Sequence, residues 1–162
     1  MIDLGANIGL VSLYFKDIAK IIYAIEPTPS HYIALCNMIS SFSCNNIIPI
    51  NIAVAQKTTF RKFLFDNNNV TANRIDDNGN ITVPCFSIPD LFKYFEIKHI
   101  DFMKIDIEGG EIELADSLLS LPIDVIFIEC HYGCMNKIIS SIQSKYLIKI
   151  INDYTFLATN LC

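Results

Sequence analysis

The chain has 162 residues, of which 52% are hydrophobic and 18% charged, so it can bury a sizeable core and is not a disordered chain. A formal net charge of −5, without any cluster of Lys and Arg, argues against a nucleic-acid partner. No apolar run is as long as a membrane span, no basic-then-apolar leader is visible, and the six cysteines are scattered as reduced thiols would be, so we expect a cytoplasmic protein without membrane contact.

Short apolar runs predict five strands covered on both faces, as in a parallel sheet. They are Ile2–Leu4, Ile21–Ile25, Ile47–Val54, Ile100–Ile105 and Ile123–Ile128. Apolar residues at helical spacing predict a helix after each of the first two strands, and Thr28 with Pro29 is a start signal for the second. Further helices are expected over 110–119 and 135–144. The alternation predicts an α/β fold with a doubly wound, mostly parallel sheet.

Residues 57–95 interrupt this alternation. Thr58–Phe65 and Asn80–Phe86 alternate like the strands of a hairpin, and the polar stretch Asp66–Asn80 separates them. Ser87–Phe95 then predicts a short helix. We interpret this segment as an insertion over one edge of the sheet.

The end of the chain predicts an antiparallel hairpin. Leu147–Ile151 and Tyr154–Ala158 flank Asn152 and Asp153, which suit a turn. This hairpin would complete the sheet with an antiparallel strand. We therefore predict one domain over residues 1–162, with the insertion inside it.

The stretch IDLGANIG, residues 2–9, is typical of a strand, a glycine turn and the start of a helix. Gly5 and Gly9 allow a tight turn and a close approach of the backbone to a ligand, and the helix start presents free N–H groups. Glu26 ends the next strand, about twenty residues on, where doubly wound folds commonly bind a ribose diol. The pattern predicts a nucleotide-type site, although the G-x-G-x-x-G of nicotinamide sites is absent.

Two further motifs follow buried strands. Residues 104–111 read KIDIEGGE and residues 126–131 read IFIECH, so both strands end in carboxylates or a histidine. Together with Asp3, Gly5, Gly9 and Glu26, the spacing resembles the S-adenosylmethionine site of class I methyltransferases. KIDIEGGE and IFIECH are similar to the signature of the FkbM family of methyltransferases.

This resemblance implies the fold of a Rossmann-like methyltransferase and S-adenosylmethionine as its cofactor. It implies cofactor contacts for ten residues of this chain: Asp3, Gly5, Ala6, Asn7, Gly9, Glu26, Asn51, Ala53, Val54 and Asp106. Gly5, Ala6, Asn7 and Gly9 would surround the methionine part. Glu26 would bind the ribose hydroxyls, and Asn51–Val54 would border the adenine.

Methyl transfer to a hydroxyl requires alignment of the acceptor and removal of its proton. Asp106, Glu108, Glu129 and His131 end neighbouring strands in the arrangement that the chain resembles, and we take Asp106, Glu108 and His131 as the catalytic candidates. Glu111, in the first turn of the next helix, is expected instead to interact favourably with the helix dipole. His31 and His99 are expected at the surface or at caps.

We assign no metal ligand. Glu129, Cys130, His131 and Cys134 have ligand types that suit zinc, but their spacing matches no zinc-finger pattern. Magnesium on the carboxylates is the other metal hypothesis.

The sequence thus predicts a methyltransferase that acts on an oxygen of a small-molecule or glycan acceptor. The alternatives are a non-catalytic cofactor-binding or scaffold protein and, less favoured, a nicotinamide oxidoreductase. Met1 lies two residues before Asp3, so the first strand is shorter than in the family that the chain resembles. We accordingly expect the 162-residue chain to be marginally stable and poorly active.

Overall fold

The apolar runs form the strands of two sheets in the computed structural model, which describes residues 1–66 and 73–161. The strands in chain order are β1 (Ile2–Leu4), β2 (Ile22–Ile25), β3 (Ile47–Ile50), β4 (Ala53–Val54), β5 (Thr59–Leu64), β6 (Arg74–Ile75), β7 (Ile81–Phe86), β8 (Ile100–Ile105), β9 (Ile123–Glu129), β10 (Tyr146–Ile150) and β11 (Thr155–Asn160). The helices are α1 (Leu10–Phe15), α2 (Pro29–Ser41), α3 (Ile88–Tyr94), α4 (Glu111–Ser120) and α5 (Met135–Ile142). Part of the predicted polar loop and Cys162 lie outside the described residues.

The larger sheet has seven strands in the order β10-β11-β9-β8-β1-β2-β3. Strands β3, β2, β1, β8 and β9 are parallel to one another, whereas β11 pairs antiparallel with both β9 and β10. The predicted doubly wound sheet and its closing antiparallel hairpin are therefore confirmed. All three residues of β1 pair with both β2 and β8, and Asp3 lies opposite Ala24 on one side and Lys104 on the other.

Helices cover both faces of this sheet. Successive strand residues point to opposite faces, and along β2 the residues Ile22 and Ala24 pack in one buried cluster with Leu35 of α2. Ile25 instead belongs to the larger cluster, which contains the buried residues of α3, α4 and α5, such as Leu118. The sheet is thus the middle layer of three. The carboxyl ends of its parallel strands all lie at the same edge of the sheet.

The smaller sheet corrects the prediction for residues 47–54. They form two strands rather than one, and the second, β4, pairs with β7 in a sheet of order β4-β7-β5-β6. Between them Asn51 donates from Nδ2 to the carbonyl oxygens of Glu26 and Pro27, which turns the chain away from the larger sheet. The predicted hairpin of β5 and β7 and the predicted helix α3 are confirmed, while β6 lies in the stretch predicted as a loop.

None of the helices in residues 1–66 and 73–161 is both long and apolar enough to cross a membrane. The five cysteines of these residues are free thiols.

Truncation of one leucine in α4 tests the core. Leu118 is fully buried, whereas its neighbour Leu119 is 37% exposed. Leu118→Ala should lower the free energy of unfolding by about 2–5 kcal/mol because it leaves a cavity, and Leu119→Ala should cost much less. Urea unfolding followed by circular dichroism measures both. Equal losses for the two variants would contradict the assigned orientation of α4.

Candidate active site

An open cavity lies at the carboxyl ends of β1, β2 and β8, with an empty volume of about 840 Å³ that is partly open to solvent. The lining residues come from the glycine loop (Gly5, Asn7), the end of β2 and the start of α2 (Ile25, Glu26, Pro27, Thr28, His31), the region of β4 (Ile52, Ala53, Val54) and the segment after β8 (Asp106, Ile107, Glu108, Gly109, Gly110). The location is the one at which open α/β sheets bind ligands.

The cavity separates the predicted site residues into two sets. Those that line it are Gly5, Asn7, Glu26, Ala53, Val54, Asp106 and Glu108. Those that are not among its lining residues are Asp3, Ala6, Gly9, Asn51 and His131. The first set is placed for direct contact with a ligand. The predicted cofactor and catalytic contacts of the second set stay predictions.

The two glycines of the loop are required by packing. Gly5 has φ +75°, and a Cβ on it would overlap the carbonyl oxygen of Asp106. Gly9 has φ +92°, and a Cβ there would overlap the side chains of Leu35 and Met38 in α2. Both glycines are predicted to allow a tight turn and a close approach of the backbone to a ligand. They also let the loop approach β8 on one side and α2 on the other.

Glu26 is a buried carboxylate that faces the cavity. Its Oε2 accepts a hydrogen bond from the backbone N–H of Asn7 and its Oε1 accepts one from that of Thr28, both at 2.8 Å. Each carboxylate oxygen has a second lone pair, so Glu26 can still accept hydrogen bonds from a ligand.

His31 corrects a prediction. It was expected at the surface or at a helix cap; it lies in the first turn of α2, but it is buried and lines the cavity, with Nδ1 3.7 Å from Oε1 of Glu26. The reason is that the first turn of α2 folds over the end of β2. A helix start directly after Glu26 was the available signal.

Lys104 is a buried cation beside the glycine loop, and the sequence pattern gave it no role in the site. Its Nζ donates to the carbonyl oxygen of Gly5 at 2.8 Å and lies 3.2 Å from Oδ2 of Asp106 and 3.5 Å from Oδ1 of Asp3. Asp3 is fully buried, and its Oδ2 accepts a hydrogen bond from Ser12 Oγ at 2.7 Å. Its Oδ1 has no hydrogen bond in the described residues and faces only the charge of Lys104.

His131 lies among three carboxylates. Its Nδ1 is 3.0 Å from Oε1 of the buried Glu111, which also accepts a hydrogen bond from the N–H of Gly109. A carboxylate only accepts, so Nδ1 carries a proton and donates it. Its Nε2 is 3.2 Å from Oε2 of Glu108 and 4.0 Å from Oδ1 of Asp106. Glu111, expected as a dipole partner, thus also fixes the orientation of His131.

The surrounding charges shift the pKa of two groups. Burial lowers the pKa of His131, but the hydrogen bond and charge of Glu111, with the charges of Glu108 and Asp106, leave it above its ordinary value. Burial raises the pKa of Glu108, the charge of His131 opposes that shift, and the nearby carboxylates, Glu129 included, add to it. The cluster therefore favours a protonated His131.

The smaller sheet supplies a further wall, which sequence reasoning did not assign to the site. Arg61 and Phe63 of β5, with Asn73 and Ile75 near β6, line the cavity opposite the glycine loop. Arg61 Nη1 lies 3.3 Å from Oε2 of Glu113 in α4. Because these contacts join segments far apart in the chain, no local pattern indicates them.

Solved structures with similar folds are methyltransferases. The methyltransferase FkbM from Methylobacillus flagellatus KT matches with a TM-score of 0.65 and 18% identity, over 98% of this chain and 42% of that one. The fibrillarin of Aeropyrum pernix, solved with natively bound S-adenosyl-L-methionine, matches with a TM-score of 0.60 and 12% identity, over 99% of this chain and 65% of that one. The fold is that of the class I, Rossmann-like methyltransferases.

A sequence model of the methyltransferase FkbM domain matches residues 3–142. The chain belongs to the FkbM methyltransferase family, as the sequence predicts. It is also 22% identical over 148 residues to the hexuronic acid methyltransferase AglP of Haloferax volcanii, a match that covers 88% of this chain. The chain spans 60% of the length of AglP and 42% of that of the M. flagellatus protein.

Removal of the buried cation should destabilise the site and the fold. Lys104→Met leaves the charge of Asp3 buried without its cationic partner, which typically costs about 3–5 kcal/mol in the free energy of unfolding. Lys149→Met, at an exposed position of β10, is the matched control and should change it by less than about 0.5 kcal/mol. Chemical denaturation measures both, and Asp3→Asn combined with Lys104→Met should recover part of the loss. A Lys104 variant as stable as the control would show that Asp3 does not depend on this ion pair.

Proposed function

We propose that this chain is the catalytic region of an S-adenosylmethionine-dependent methyltransferase that methylates an oxygen of a sugar or related small molecule. The observation that carries the proposal is the cavity between Glu26 and the segment Asp106–Gly110, at the strand ends where the fold binds ligands. Membership of the FkbM family supports methyl transfer, and the similarity to a hexuronic acid methyltransferase supports a glycan-like acceptor.

The residues of the cavity fit the cofactor. Glu26 offers free lone pairs to ribose hydroxyls, and the apolar residues Ile52, Ala53 and Val54 offer a surface to the adenine. The backbone of Gly5 and Asn7 borders the space for the methionine part. When bound, S-adenosylmethionine supplies a methyl group activated by its positively charged sulfur.

Glu108 is the residue we propose for proton removal. Glu108 and Asp106 line the cavity, whereas His131 lies behind Glu108 and contacts it through Nε2. In this arrangement Glu108 accepts the proton of the acceptor hydroxyl, Asp106 orients the acceptor, and His131 positions the carboxylate of Glu108. The oxygen preference is part of the same proposal.

The same proposal includes a single domain and a cytoplasmic location. The free thiols of the described cysteines are what a reducing compartment maintains. The predicted lack of a nucleic-acid partner follows from the net charge of −5.

Loss of the Glu26 carboxylate should weaken cofactor binding. Glu26→Gln replaces one acceptor by an amide donor, which should reduce the affinity for S-adenosylhomocysteine by about 1–3 kcal/mol. Isothermal titration calorimetry measures this affinity, with the exposed Glu96→Gln as the matched control. Thermal melting checks that both variants fold. The absence of any heat with folded unmodified protein would contradict the cofactor assignment.

Loss of the Glu108 carboxylate should affect turnover instead. Glu108→Gln should keep the affinity for S-adenosylhomocysteine and reduce kcat at least about a hundredfold, as expected for a lost general base. The turnover rate is measured as release of S-adenosylhomocysteine in the presence of hexuronic acids and neutral hexoses. Turnover as fast as that of unmodified protein would remove Glu108 from this role. Cofactor binding without turnover on any acceptor would favour the non-catalytic alternative.

A further inference from the structure

Three side chains with metal-binding atoms converge beside the cavity. Asp106 follows β8, Glu129 ends β9, and His131 follows two residues later. One ligand atom from each lies within 4.8 Å of the other two. Two ligands of one ion are at most about 4.4 Å apart when each bond is about 2.2 Å, so a small movement of side chains is enough to share an ion.

The histidine of this group is oriented as metal ligands are. His131 donates from Nδ1 to Glu111, whose side chain is fully buried. This bond fixes the ring, so that Nε2 lies 3.2 Å from Oε2 of Glu108 and 4.0 Å from Oδ1 of Asp106. A bound ion would replace the proton on Nε2 and take the place of its contact with Glu108. Histidines that bind metals almost always donate their other ring N–H to such an outer partner.

Two carboxylate side chains nearby have oxygens without partners in the described residues. Oε2 of Glu111 is buried without any hydrogen bond in the described part of the chain, although Oε1 of the same carboxylate contacts His131. Glu129 makes no side-chain hydrogen bond or ion pair there either. With Asp106 and Glu108, four carboxylates adjoin one imidazole and Lys104. The group has an excess of negative charge that a cation would offset.

We propose that Asp106, Glu129 and His131 form a binding site for a divalent transition-metal ion, of which Mn²⁺ is the test case. Two carboxylates with one imidazole suit such an ion, whereas Mg²⁺ and Ca²⁺ favour oxygen ligands alone. The site revises the sequence analysis, which assigned no metal ligand.

The position of this site gives it a role that rests on the proposed function. Asp106 lines the cavity, so an ion bound there would be within reach of an acceptor oxygen and would lower the pKa of that hydroxyl. It would also counter the repulsion between an acidic sugar and the carboxylates of the wall. Glu108 is not one of the three ligands; in the metal-bound form His131 would ligate the ion in place of contacting Glu108, and the carboxylate of Glu108 would still be available to accept the proton.

Metal binding is tested directly on the full chain after chelator treatment and desalting. Titration with Mn²⁺, followed by electron paramagnetic resonance of the free ion, should show one saturable site. Asp106→Asn and Glu129→Gln should each weaken it at least about tenfold. Glu129→Gln removes no hydrogen bond of the described structure and should fold normally, which thermal melting checks. Zn²⁺ should displace Mn²⁺, and an equal concentration of Mg²⁺ should not.

The matched control uses the other cluster of this kind in the described residues, His99, Asp101 and Asp124, which lies on the surface. Asp124→Asn should leave Mn²⁺ binding unchanged. The proposal is overturned if the unmodified chain shows no saturable binding, if the ligand variants bind as well as it does, if only the control variant loses binding, or if Mg²⁺ competes equally. Calorimetry with S-adenosylhomocysteine is run separately, so that a failure of the metal site and a failure of the proposed function are distinguished.

Discussion

The geometry of the site depends on one buried cation. Lys104 bonds the carbonyl oxygen of Gly5 and faces the carboxylates of Asp3 and Asp106, so it joins β1, the glycine loop and the end of β8. A buried charge is tolerated only where partners compensate for its lost hydration. Since Asp3 is fully buried, its charge depends on Lys104, and this ion pair ties the glycine loop to β8.

This constraint leaves the two sides of the cavity with different chemistry. On one side Glu26 is bonded by the backbone N–H groups of Asn7 and Thr28, which suits recognition of neutral hydroxyl groups. On the other side Asp106, Glu108 and His131 are close enough to alter each other's protonation, which suits proton transfer. The glycine loop between them contributes backbone, because Gly5 is packed against Asp106.

Much of the fold could be predicted from the sequence because strands covered on both faces are continuous apolar runs. β1 and β8 begin and end where these runs do. The run at 47–54 was misleading because its break depends on Asn51 bonding the chain after β2 and on β4 pairing with β7. Both partners are distant in sequence. Apolarity indicates that a segment is buried, but it does not indicate which sheet contains it.

The location of the site could be predicted from the sequence, but its contacts could not. Parallel strands bring their carboxyl ends together, so Asp106, Glu108 and His131 were expected to lie close together. Which of these side chains contacts which could not be predicted. Glu111 shows why. A carboxylate at an exposed helix start contributes about 0.3–1 kcal/mol through the dipole, and the position alone favours that role. In the structure Glu111 is buried and accepts from His131 and from the N–H groups of Ile107 and Gly109. Burial of a carboxylate is tolerated only with such donors, so these contacts add to the dipole in accounting for a glutamate at the start of α4.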